Sequence, residues 1–151
     1  MKKIILLLTV FITSVSFAQG LDKDGLEVGR AQQFGAPIEA QLTIKDKVYK
    51  ISFRDSHFKT LDRYESFEFS ENDNNLETLY AEIEKGFETM PKELVAVPFA
   101  SKKVYLKFDK LLGAKVLIFC TTLTDARDSE MIVGNFIAKK QVEKLFNKKK
   151  K

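Results

Sequence analysis

Apolar and polar residues alternate strictly from Ile38 onward. Ile38, Ala40, Leu42 and Ile44 take turns with Glu39, Gln41 and Thr43, and the alternation resumes after Lys45-Asp46 at Tyr49, Ile51 and Phe53. A period of two predicts a half-buried antiparallel hairpin. Centred on Lys45-Asp46, the hairpin sets Leu42 opposite Tyr49, Ala40 opposite Ile51 and Ile38 opposite Phe53, all on one apolar face. Lys-Asp is not a favoured two-residue turn, so a four-residue loop of the same register serves equally. Arg54–Arg63 is a polar connection carrying Phe58 and Leu61. Tyr64–Ser70 then predicts a third strand, with Phe67 and Phe69 on one face and Ser66 and Glu68 on the other.

The period changes after Asn74. Leu76, Leu79, Tyr80, Ile83, Phe87 and Met90 share one stripe of a helix over Asn75–Thr89, while Glu77, Glu82, Glu84 and Lys85 face away. Asn74 and Glu77 have capping-box spacing, and Pro91 follows the end. Beyond it, Leu94–Val97 predicts a strand that stops at Pro98, and Val104, Leu106 and Phe108 alternate with Tyr105 and Lys107. Gly113 marks a turn. Lys115–Thr122 is apolar on both faces, as a central strand requires. A polar loop over Thr124–Glu130, a strand over Met131–Ile137 and a short helix over Lys139–Asn147, burying Val142, Leu145 and Phe146, complete the chain. Strands and helices segregate, so the expected fold is α+β: one small domain over 38–147 with an antiparallel sheet, one amphipathic helix after the third strand and a short C-terminal helix. Lys47-Val48-Tyr49 and Lys103-Val104-Tyr105 match, but the helices that follow them stand at a different offset, so no duplication is inferred.

The N-terminus has a different character. Lys2 and Lys3 precede an apolar run through Ile12, and Ser16-Phe17-Ala18 places small residues at the two positions a signal peptidase reads. Met1–Ala18 is therefore expected to be a cleaved secretory signal, with the mature chain starting at Gln19 and working in the periplasm or outside the cell. The run is too short for a spanning helix, which needs roughly 20 apolar residues, and no cysteine follows the cleavage point to take a lipid. The segment 19–37, with four of the seven glycines, is expected to be a flexible leader in which Leu26-Glu27-Val28 is only a weak strand candidate.

Charge removes one class of function. The chain carries +4, but Lys2, Lys3 and the tail Lys148–Lys151 supply six of its 25 basic residues, leaving 19 against 21 acidic ones between Gln19 and Asn147. A nucleic-acid-binding face is not expected. The lysine tail should fray into solvent, with only weak contact to anionic surfaces. Cys120, the single cysteine, excludes an internal disulfide and sits in an apolar run as a small buried hydrophobe.

Chemistry is sparse. His57, the only histidine, follows Asp55 and Ser56, residue types that suit a carboxylate-oriented base. Neighbours in an extended loop point different ways, so His57 is read as a solvated loop histidine. One His and one Cys cannot build the usual zinc site. The oxygen-rich run Glu71–Asn75 lacks EF-hand spacing, the acidic loop of Asp125, Asp128 and Glu130 with Arg127 is read as a solubilising turn, and no glycine-rich phosphate loop is present. No catalytic, cofactor-binding or metal-binding residue is assigned. The expected function is an exported, non-enzymatic binding module for a protein or small ligand. Its rivals are a small hydrolase using His57 and a carrier of an apolar ligand in a phenylalanine-lined cavity.

Overall fold

The computed structural model describes residues 20–58, 60–123 and 130–148. The expected signal Met1–Ala18, its cleavage point at Gln19 and the acidic residues Asp125 and Asp128 lie outside them. Among the described residues, two antiparallel sheets and two α-helices make a small α+β domain.

The first sheet runs in chain order: β1 (Leu26–Gln32), β2 (Ile38–Lys45), β3 (Val48–Arg54) and β4 (Tyr64–Ser70). Strand β1 corrects the expected leader. Its alternation is masked by Gly29 and by a bulge at Val28, yet Ala31 pairs with Ala40 and is fully buried. The β2–β3 hairpin also differs from expectation. Leu42 faces Ile51, Ala40 faces Phe53 and Ile44 faces Tyr49, two residues along from the expected register. The turn is Asp46-Lys47, both with positive φ (48° and 64°), as a tight hairpin turn demands. A slip of two leaves every side chain on its face, so the apolar pattern alone could not reveal it.

A 3₁₀ turn at Asn72–Asn74 leads into α1 (Asn75–Thr89), with the bounds expected from its stripe. The expected capping box is absent. Asn74 is left-handed (φ 57°) and its side chain makes no cap bond, while the Glu77 carboxylate takes Lys148 Nζ at 2.6 Å instead. Lys148 therefore lies folded back on α1 rather than frayed; the rest of the tail is outside the described residues.

The second sheet has the order β5 (Val95–Ala96), β6 (Val104–Leu111), β7 (Ala114–Thr122), β8 (Met131–Val133), with β9 (Ile137–Ala138) also on β7. The single strand expected over Met131–Ile137 is split at Gly134, whose N–H donates to Phe119 O and whose backbone bridges Asp55 of the first sheet. Helix α2 (Lys139–Leu145) follows, with the Gln141 side chain accepting the Ala138 N–H at 3.0 Å. It buries Val142, Leu145 and Phe146 as expected and packs on β1.

The core lies between the sheets. Phe53 and Phe67 from the first sheet meet Phe119 of β7, each at 5.8 Å between ring centroids. Phe108 meets Phe87 of α1 edge-on at 5.5 Å. Val116, Ile118 and Cys120 alternate to the opposite face of β7 and are also buried, so Cys120 is the small buried hydrophobe expected. Burial pushes its thiol up, against a smaller pull from Lys107.

The helices run antiparallel, joined by Lys139–Glu84 at 2.9 Å and by Tyr80 against Phe146 at 5.3 Å. Burial, reinforced by the Glu84 carboxylate, pushes the Tyr80 phenol up to about 12. An unfolded tyrosine loses its proton near 10. Above that value the unfolded chain holds fewer protons than the folded one, so stability falls with rising pH until the folded phenol titrates too. The Tyr80 contribution should therefore disappear between about 10 and about 12. Denaturant unfolding across this range should show a shallower fall for Tyr80→Phe than for the wild type. Parallel curves would mean that the phenol is not buried between the helices.

Candidate functional site

The sequence singles out His57, and its surroundings follow from the end of β3. Asp55 forms the bridge to Gly134 and donates its N–H to Arg63 O at 2.9 Å. Ser56 N–H donates to Val133 O at 2.9 Å. The chain then turns, with Phe58 N–H pointing to Asp55 O at 3.4 Å. The loop is thus not extended, and the expected divergence of Asp55 and His57 is corrected. Asp55 Oδ1 accepts the His57 backbone N–H at 2.9 Å and lies 3.0 Å from Nδ1. The carboxylate side chain is 3 % exposed and the imidazole 53 %.

A buried carboxylate holding an exposed imidazole by Nδ1 leaves Nε2 outward, the arrangement of an oriented base. Base catalysis also needs a proton to remove. Among the described residues, no serine, threonine or cysteine hydrogen-bonds the imidazole, and Cys120 is buried with its thiol pushed up. Nor do the described residues hold a group of three metal-ligating side chains. The Glu71–Asn75 run serves the 3₁₀ turn and the start of α1.

The hollows offer more. A polar groove of about 310 Å³ lies where Asp22 and Asp24 meet the outer face of the first sheet. Asp22 is held within it by its neighbours. Asp22 accepts the Asp24 N–H at 3.0 Å and the Thr43 hydroxyl at 3.1 Å, with Lys50 at 3.9 Å. Those bonds, the Asp24 N–H first, hold its carboxyl below the usual value.

A second hollow, of about 300 Å³, is mainly apolar. Leu79 of α1 forms one wall, Val97, Pro98 and Phe99 the other, and Leu106 the floor, with Thr78 and Glu82 at the rim. Its origin is local. Strand β5 is two residues long rather than the four expected from Leu94–Val97, and Pro98, with no N–H to give to a ladder, keeps it from running on past Val97. The chain then crosses between the sheets. Val97 N–H donates to Val104 O at 2.9 Å and Ser101 N–H to Glu68 O at 2.7 Å, while Phe99 stacks edge-on against Phe69 at 5.7 Å. This strap stands off α1 and leaves the cleft between them. The Pro98 break was visible in the sequence. The cleft was not, because its other wall lies some twenty residues earlier on the helix.

Among the described residues no helix is long and apolar enough to cross a membrane. Compared with known proteins, the chain matches no family model, no curated protein and no solved structure, so its function is argued from its own residues.

Proposed function

We propose that the protein is an exported, non-enzymatic binding module that takes an apolar group of its partner into the cleft between α1 and β5. The cleft itself carries this reading: it is preformed, apolar-walled and rimmed by only a few polar groups, as ligand sites are. Its volume, about 300 Å³, is at the small end for such sites. It suits a side chain or a small apolar ligand better than a large one. A carrier with an internal cavity would need space among Phe53, Phe67 and Phe119, which are in ring contact. The Asp55–His57 geometry keeps a hydrolase as the second reading.

Thr78→Trp tests the first reading. Thr78 stands exposed at the rim, and the chain has no tryptophan, so emission from the new indole reports whether it has entered the cleft. A neutral environment-sensitive dye should bind the wild type, and binding should fall about tenfold in T78W, the equivalent of roughly 1.4 kcal/mol. Equal dye binding alongside blue-shifted indole emission would remove the cleft as the site. His57→Ala should leave dye binding unchanged. Loss of an ester-hydrolysing activity in that variant would instead favour the hydrolase.

A further inference from the structure

We propose that the tip of the β6–β7 hairpin is a membrane-contact element that sets two leucines into an anionic lipid surface. From Asp109 to Lys115 every residue is exposed, so the hairpin end projects beyond the packed body. Leu111 is 43 % exposed and Leu112 101 %. The turn residues Leu112 and Gly113 both have positive φ (50° and 84°). Such two-residue turns favour Asn-Gly or Asp-Gly, and a bulky leucine in the left-handed region is a costly choice for the fold alone.

The flanks carry a second feature, two cations that face each other. Lys110 lies directly opposite Lys115 in the register, and like charges across a strand pair repel. Lys115 reaches the Phe87 carbonyl at the end of α1 and is anchored there. Lys107 adds a third positive charge to the hairpin against the single Asp109. Apolar residues at a protruding point with cations behind them match an interfacial element: leucines enter the acyl boundary while lysines meet anionic headgroups. Charge complementarity therefore selects an anionic lipid surface over a neutral one. This contact is separate from the α1–β5 cleft and does not depend on it.

The test is sedimentation with vesicles of phosphatidylcholine containing about one third phosphatidylserine, with wild type and variants prepared identically so that Met1–Ala18 contributes equally. The Leu111→Ser/Leu112→Asn double variant should lower partitioning about tenfold. Lys110→Gln should lower it several-fold, and so should added salt or vesicles of phosphatidylcholine alone. Leu112→Asn by itself should raise the melting temperature, because asparagine suits the left-handed turn, while lowering vesicle binding. A variant that merely misfolds could not show that opposition. The proposal is overturned if the double variant partitions within about twofold of the wild type. It is equally overturned if removing the leucines alters self-association and leaves lipid binding unchanged.

Discussion

Phe119→Ala is expected to destabilise the domain by about 3–5 kcal/mol, the usual cost of removing a buried phenyl ring. Domains of this size are stable by only about 5–15 kcal/mol, so the variant should be partly unfolded at moderate temperature. Phe119 is fully buried on the central strand β7, where its ring meets Phe53 and Phe67 of the opposite sheet. Neither sheet can close over the void unless the other moves. The urea midpoint should therefore drop sharply with little change in slope. A loss below about 1 kcal/mol would show that the sheets do not meet at this ring.

Gly29→Ala should be nearly as damaging for a different reason. A Cβ at this position would come under 3.0 Å from the carbonyl oxygens of Lys144 and Leu145, closer than real Cβ atoms approach. Those oxygens belong to the α2 backbone and cannot swing aside. One methyl group must push α2 off β1 and loosen Val142, Leu145 and Phe146, at about 3 kcal/mol. Gly35→Ala is the control. Gly35 has φ +73° but nothing within 4 Å of the new carbon, so it should lose only about 1 kcal/mol of backbone preference. Hydrogen exchange should locate the difference, with α2 amides unprotected in the Gly29 variant alone. Equal losses in both variants would mean that α2 does not seat on β1.

Elements with a strong period were legible in the sequence, and those shaped by a partner were not. Strand β4 and helix α1 have the bounds that their apolar spacing predicts. Strand β1 showed only a weak start at Leu26–Val28, because the glycine that breaks its pattern is there to admit α2, a contact made with a segment more than a hundred residues later. The hairpin register was missed because a shift of two conserves parity. Glu77 had the spacing of a cap, but Lys148 supplied a nearer cation. Within the candidate sites, the residue types at Asp55 and His57 were visible while the turn that joins them was not. Leu112 looked like any loop leucine until its backbone angle placed it in the left-handed region.

The seating of α2 on β1 also orders the folding of the chain. Strands β1 to β4 are consecutive hairpins spanning residues 26–70, so their contacts are short in sequence and can form early. The apolar side of β1 is covered by α2, whose segment buries Val142, Leu145 and Phe146, more than a hundred residues later in the sequence. During synthesis the first sheet must therefore wait, with one apolar margin bare, until α2 arrives. A nascent chain stopped short of residue 139 would present that margin to whatever binds unfinished proteins. Reaching the stable native state is thus tied to the arrival of residues 139–146, and a product cut before them is marked by the surface it leaves uncovered.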